Sequence, residues 1–219
     1  MNNNRRFLRS ITASLAIFSI LLMMTLPAFA DKEELNIIVT PSAAIAGSTS
    51  DTYRAFFITT HVPPGGFFFL DATIPAGYEF IFPPAGNEIV TYSMSDHKAD
   101  KEIIVTIISD NPTTKTVDVK FSVDGGKTFN IVQDQPINNI VIGASTLKLT
   151  EPTSTTPGFL NVSLGGIAGP ITKNSVVKLK MAKGTLKNPD IPGKYIFSLV
   201  ARNSPTSTPF TGEDVVRIK

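Results

Sequence analysis

Short apolar runs rich in Ile, Val, Phe, Thr and Tyr recur along this chain, and Gly, Pro, Asn or Asp separates them roughly every eight to twelve residues. That spacing is typical of β-sandwiches, in which short strands alternate with tight turns. Sixteen prolines and fifteen glycines interrupt nearly every window that is long enough for three helical turns. The sequence therefore predicts an all-β fold, arranged as an antiparallel sandwich.

The strand candidates differ in how they are expected to be buried. Alternation between apolar and polar residues over 115–123 predicts a half-buried strand, and 177–181 repeats the pattern with lysines on its polar face. The run 67–70 is apolar on both faces, which favours a central strand over an exposed aromatic patch. One weak helix candidate covers 93–101. The predicted strands are 35–40, 51–60, 66–74, 79–82, 88–94, 102–109, 116–123, 128–132, 137–142, 146–150, 159–164, 175–181, 194–202 and 214–218.

The first thirty residues have the pattern of a secretory signal peptide. Three arginines precede an uncharged apolar run over 11–26, and small residues follow at Ala28 and Ala30. We expect a signal helix within 1–30 and cleavage after Ala30, which places the mature protein outside the cell or in its envelope. The alternative is an uncleaved anchor, but the run spans 16 residues whereas a membrane-spanning helix needs about 20.

Charge and cysteine content narrow the classes of partner and cofactor. Without 1–30 the chain has 17 basic and 18 acidic residues, a net charge of −1. Scattered charges of both signs lack the basic stripe that a phosphate backbone requires, so we expect no nucleic-acid partner. The chain has no cysteine, which excludes disulfides, thiolate metal sites and a cysteine nucleophile. We also expect no transmembrane segment in the mature chain.

The mature chain shows no sharp change of composition that would mark a domain boundary. We expect one sandwich domain over 33–219. The alternative is a division near 144–158, where 151–158 is free of large apolar residues and resembles a linker.

One segment resembles the aspartate box, a hairpin found in sialidases and other secreted β-proteins. It reads Ser-x-Asp-x-Gly-x-Thr-aromatic over 122–129. In the families that carry it the box is structural and lies away from the catalytic site. We expect an Asp side chain that accepts loop amides, glycines with positive φ, and a Phe that anchors the hairpin in the core. The residues are Ser122, Asp124, Gly126, Thr128 and Phe129.

A looser resemblance covers most of the mature chain. Its motifs look like those of poorly characterised secreted and cell-surface β-sandwich domains of archaea and bacteria. The resemblance implies an immunoglobulin-like sandwich in an extracellular or envelope setting, with no assigned chemistry. The motifs are Val39-Thr40-Pro41-Ser42, Pro75-Ala76-Gly77-Tyr78, Lys187-Asn188-Pro189 and Pro192-Gly193-Lys194-Tyr195.

Residues that could carry out catalysis are few. The two histidines, His61 and His97, could each pair with a serine and a carboxylate, but surface positions are the simpler interpretation. No Gly-x-Ser-x-Gly motif is present. Carboxylates that could form a glycosidase pair are Asp71, Glu79, Glu88 and Glu102.

Metal and modification sites are equally sparse, and we predict no catalytic, cofactor or metal residues. Asp96, His97 and Asp100 have suitable ligand types but no recognised metal spacing. Bound calcium is the one alternative kept open, near Asp110, Asp118 and Asp124. Asn161 begins an Asn-x-Ser glycosylation acceptor.

Together these features favour a non-enzymatic, adhesin-like interaction module that binds an envelope protein or a glycan. The proline-rich loops 63–66 and 82–86 are candidate binding surfaces, because loops on rigid sandwiches often carry function. A carbohydrate-binding module is the first alternative, with Tyr53, Tyr78, Tyr92 and Tyr195 as its aromatic candidates. A secreted hydrolase is the second alternative.

Overall fold

Fifteen β-strands make up the regular structure in the part of the chain that the computed structural model describes, namely 37–49, 53–58, 68–95, 102–164, 176–202 and 209–219. No helix occurs in those ranges. The strands are β1 (Ile38–Pro41), β2 (Tyr53–Ile58), β3 (Phe68–Ile74), β4 (Glu79–Phe80), β5 (Glu88–Ser95), β6 (Glu102–Asn111), β7 (Thr116–Ser122), β8 (Asn130–Pro136), β9 (Ile140–Ile142), β10 (Ser145–Thr150), β11 (Gly158–Leu164), β12 (Val176–Met181), β13 (Leu186–Lys187), β14 (Gly193–Arg202) and β15 (Phe210–Ile218).

Two large antiparallel sheets contain most of these strands. One has seven strands in the order β1-β2-β12-β5-β6-β7-β8, and the other has six in the order β15-β14-β3-β11-β10-β9. Strands β13 and β4 form a separate two-stranded sheet. The prediction of an all-β, antiparallel fold is therefore confirmed.

The core contains the inward-facing side chains of both large sheets. Val117 and Val119 on β7 are buried, as are Leu160 and Val162 on β11, and all belong to one hydrophobic cluster. Each fully buried aliphatic side chain of this kind contributes about 1.5–3 kcal/mol. Because side chains alternate across a strand, the same strands leave polar residues on their outer faces.

The open edges of the two sheets are linked through side chains. The Val39 N–H on β1 donates to Asp214 Oδ2 on β15 at 2.6 Å. On the opposite side, the Val141 N–H on β9 donates to Gln135 Oε1 on β8 at 3.4 Å. Bonds of this kind occupy backbone donors that would otherwise be available for pairing with another chain.

Most predicted strands coincide with observed ones within a few residues, and the differences have local causes. The weak helix candidate over 93–101 is wrong at its start, because residues 93–95 belong to β5. Strand β13 was not predicted, since two residues are too short to show alternation. The predicted signal peptide 1–30, both histidines and the loop 63–66 lie outside the described residues.

The linker-like segment 151–158 forms an ordered turn. Strands β10 and β11 on either side of it pair directly, and Thr153 O accepts a hydrogen bond from the Gly77 N–H at 2.8 Å. Only glycine fits at position 158, because a Cβ there would lie 2.5 Å from the Pro152 nitrogen. The described residues all lie within the unit Glu34–Lys219. They include no helix long and apolar enough to cross a membrane.

Candidate functional site

A cluster of aromatic rings around one asparagine, here called the aromatic corner, joins the two large sheets. It contains Tyr53, Tyr78, Asn188, Tyr195 and Phe197. The rings of Tyr78 and Phe197 meet edge to face at 5.3 Å, and those of Tyr53 and Phe197 stack at 5.7 Å. The Tyr53 hydroxyl donates to Asn188 Oδ1 and lies 3.1 Å from the Tyr78 hydroxyl oxygen. The corner thus combines ring packing with a buried polar pair.

Asn188 connects this corner to the turn that follows β1. Its Nδ2 lies 3.0 Å from Ala43 O, 2.9 Å from Ile45 O and 3.3 Å from Ser48 Oγ. The residue is only 1% exposed. Both polar atoms of its side chain therefore have protein partners, as a buried amide requires.

The turn motifs over 75–78, 187–189 and 192–195 meet at this corner. Gly77 has φ +93°, and a Cβ there would contact Pro189 and Tyr195 at 3.5 Å. The Tyr195 hydroxyl donates to Ile191 O at 2.7 Å, which closes the turn before β14. Gly77, Pro189 and Tyr195 therefore hold turns together, whereas Pro192 and Lys194 of the same motifs are exposed.

Burial also keeps the tyrosines protonated. Removal from water raises the pKa of Tyr53 to about 12, partly offset by its hydrogen bond with Tyr78. Burial raises the pKa of Tyr78 still further, and that of Tyr92 on β5 as well. Tyr53, Tyr78 and Tyr92 are core residues, so they form no exposed platform for sugar rings.

The hairpin between β7 and β8 has the internal bonding of an aspartate box. The Ser122 hydroxyl donates to Asp124 Oδ1 at 2.7 Å and accepts the Gly126 N–H at 2.9 Å. Asp124 also accepts the Thr128 N–H at 3.0 Å and the Thr128 hydroxyl at 2.6 Å. These donors stabilise the carboxylate and lower the pKa of Asp124 well below its usual 3.8. Gly125 and Gly126 have φ of 74° and 82°, as expected.

Phe129 differs from its predicted role. The sequence predicts that it anchors the hairpin in the core, but it is 39% exposed, and its ring centroid lies 4.4 Å from Lys120 Nζ. The reason is that β8 is an edge strand whose residues are mostly exposed. The ring instead packs near Gly126 on the outer side of the seven-stranded sheet.

The structure separates the acidic residues considered for a glycosidase pair. Asp71 lies in the middle of the six-stranded sheet, and Glu79 pairs with Lys187 at 3.2 Å in the two-stranded sheet. Glu88 and Glu102 occur at opposite ends of the β5–β6 pair. The described residues contain no group of three His, Cys, Asp or Glu side chains that could hold a metal ion.

The aspartates near the calcium candidate and the glycosylation acceptor also have protein partners. Asp110 accepts the Thr116 hydroxyl at 2.9 Å, and Asp118 accepts the Asp134 N–H at 3.2 Å. Asn161 Nδ2, the atom that a glycan would modify, donates to Asp71 Oδ1 at 2.7 Å.

The loop 82–86 is fixed to the end of β6. The Gly86 N–H donates to Ser109 O at 2.7 Å, and the Ser109 hydroxyl donates to Pro83 O at 2.8 Å. Pro83 is buried, whereas Pro84, Ala85 and Gly86 are exposed. This candidate loop therefore presents a small, rigid surface.

A cleft of about 530 Å³ opens at the end of the sandwich where β6 turns into β7. Lys115 and Glu151 lie in it as an ion pair, with Nζ and Oε1 2.5 Å apart. Lys115 has φ +55°, a left-handed conformation that is uncommon outside glycine. The lining residues are Thr114, Lys115, Pro136, Ile137, Asn138, Lys148, Leu149, Thr150 and Glu151.

Sequence reasoning missed this cleft because its lining comes from three separate segments. No local motif links the β6–β7 turn, the β8–β9 connection and the end of β10. The size of the cleft is within the range of small-ligand sites, and its lining combines cations, a carboxylate and a side-chain amide.

No protein-family model matches this sequence, and comparison with curated proteins finds no significant relative.

Proposed function

We propose that this chain is an exported, non-catalytic interaction module with an immunoglobulin-like body, which binds an envelope protein or glycan outside the cell. The observation that carries the proposal is the cleft at the β6–β7 end of the sandwich. It is built from loops on a rigid scaffold, the arrangement in which β-sandwiches commonly place binding residues.

The distribution of hydrogen bonds supports an interaction role over a catalytic one. Asn188, Ser122 and Asp124 direct their polar atoms toward other protein groups, where they fix turns. Glu151, the carboxylate in the cleft, is paired with Lys115. The remaining polar groups of the cleft are suited to recognising a ligand by charge and hydrogen bonding.

Export is tested by fractionating cells that produce the full chain. We expect the protein outside the cytoplasm, with an N-terminus near Asp31. A folded, unprocessed chain recovered only from the cytosol would contradict the proposal.

The binding site is tested by filling the cleft. Asn138→Trp places a large ring in it, and Gln133→Trp adds the same ring to the exposed face of β8 as a matched control. We expect Asn138→Trp to weaken binding to a purified envelope fraction, while Gln133→Trp leaves binding unchanged. If both variants bind the envelope fraction equally well, the cleft is not the recognition site.

A carbohydrate-binding module remains the second candidate because of the polar lining of the cleft. Lys148, Thr150 and Asn138 offer donors and acceptors of the kind that sugar hydroxyls need. Binding to a glycan array that is lost in Asn138→Trp would support this candidate. Binding to envelope protein alone would favour the broader interaction role.

A further inference from the structure

Two neighbouring cross-strand pairs on the outer face of the six-stranded sheet form an exposed patch of cationic and aliphatic side chains. Lys194 on β14 lies directly opposite Arg217 on β15, and Ile196 lies opposite Val215 one pair further along that face. All four side chains are exposed, with Ile196 at 52% and Val215 at 47%. We call these four residues the basic-aliphatic patch.

The charges of this patch work against folding. Like charges directly opposite each other on paired strands are destabilising, because the side chains are only about 5 Å apart at their Cβ atoms. Within the described ranges neither cation forms an ion pair. Glu213, on the same face of β15, is four residues from Arg217, about 13 Å along a strand.

The aliphatic half of the patch is also exposed beside these charges. Ile196 and Val215 stand on the outer face, while their neighbours Phe197 and Val216 point into the core. Ser198 extends the same face toward Thr73 on β3. A strip therefore runs from two cations, over two aliphatic side chains, to the hydroxyl groups of Ser198 and Thr73, with the carboxylate residue Glu213 opposite Ser198 on β15.

We propose that the basic-aliphatic patch binds an anionic polysaccharide. A carboxylate or sulfate group lies between Lys194 and Arg217, where the guanidinium can bind it in a bidentate manner. The C–H face of the sugar ring contacts Ile196 and Val215, and the hydroxyl groups of Ser198 and Thr73 meet those of the next sugar. The strip covers three successive cross-strand positions on one face, which favours an extended polymer over a single small anion.

The basic-aliphatic patch and the cleft are different surfaces, so one binding proposal can be wrong while the other holds. Binding of the full chain to polygalacturonate is measured by titration calorimetry at about 0.15 M salt, where long-range charge effects are largely screened. We expect Lys194→Ala/Arg217→Ala to bind at least roughly tenfold more weakly than the wild type. Lys178→Ala/Lys180→Ala removes the same charge from β12 in the other large sheet, and we expect its binding to be unchanged.

Charge reversal gives a second readout that separates binding from folding. Arg217→Glu converts the repulsive pair into an attractive one, so we expect an equal or higher melting temperature together with loss of polymer binding. If the patch does not bind the polymer, Arg217→Glu will raise the melting temperature and leave polymer binding unchanged.

Several outcomes would overturn the proposal. Equal weakening by both double variants would mean that net charge alone attracts the polymer. Failure of the wild type to bind polygalacturonate, or binding only to anionic lipid vesicles, would also overturn it. Loss of polymer binding in Asn138→Trp with retention in Lys194→Ala/Arg217→Ala would assign the polymer to the cleft.

Discussion

The aromatic corner and the aspartate-box hairpin both use polar side chains to fix a turn, but they do so in different surroundings. At the corner, Asn188 is 1% exposed and bonds carbonyl groups of the Ala43–Ser48 turn. At the hairpin, the Ser122 side chain is itself buried, but the groups that it bonds, Asp124 and the Gly126 N–H, lie in a partly exposed turn where water can replace a lost partner. The same kind of hydrogen bond is therefore worth more at the corner, because an unpaired buried group bears its full desolvation cost.

The largest expected effect comes from breaking the corner. Asn188→Ala removes the amide that bonds Ala43 O, Ile45 O and the Tyr53 hydroxyl. Ile45 O keeps the Ser48 N–H and hydroxyl, and the Tyr53 hydroxyl keeps Tyr78, so these two groups each lose one bond of about 0.5–1.5 kcal/mol, while a buried group left unpaired costs about 1–3 kcal/mol. We expect a loss of about 2–3 kcal/mol in the free energy of unfolding, measured by denaturant titration. The exposed Asn138→Ala serves as the control. A loss below about 1 kcal/mol would mean that water replaces the amide.

Alkaline pH should weaken the corner next. The pKa of Tyr53 is raised from 10.0 to about 12, so its stabilising contribution is complete below pH 10 and is lost as the pH rises toward 12. Tyr78 and Tyr92 shift in the same direction. We expect the unfolding free energy to fall steeply above about pH 10, and less steeply in Tyr53→Phe. A flat profile to pH 12 would contradict this.

Breaking the hairpin should cost less than breaking the corner. Ser122→Ala removes the bonds to Asp124 and to the Gly126 N–H, for an expected loss of about 1–2 kcal/mol. Ser154→Ala, in an exposed turn, is the matched control. Equal losses for Ser122→Ala and Asn188→Ala would remove the distinction between the two regions.

The smallest effect is expected from acid. Because the pKa of Asp124 is lowered from 3.8, its contribution is present above about pH 4 and is lost as the pH falls below that. We expect Asp124→Asn to flatten the decline in melting temperature below pH 4. A decline as steep as in the wild type would show that other carboxylates dominate.

The sequence predicted the strands well because each depends on local alternation, as in Val117 and Val119 or Val177 and Met181. The turn chemistry of Ser122 to Thr128 was also readable, since its bonds are local. The role of Phe129 was not, because whether a ring is covered depends on β8 being an edge strand.

Long-range arrangement explains the other features that the sequence did not reveal. Asn188 and Ala43 are far apart in the chain, and only the fold brings them together. The cleft and the basic-aliphatic patch likewise depend on which strands become neighbours. Pattern reasoning treats each segment alone and cannot supply those pairings.

We infer that buried polar side chains stabilise the fold of this protein, while exposed groups bind its partners. The most direct test compares polygalacturonate binding by Ser122→Ala and Lys194→Ala/Arg217→Ala, each at a temperature where it is fully folded. We expect Ser122→Ala to be less stable yet bind like the wild type, and the double variant to be stable yet bind weakly. Weak binding by folded Ser122→Ala with normal binding by the double variant would contradict the account.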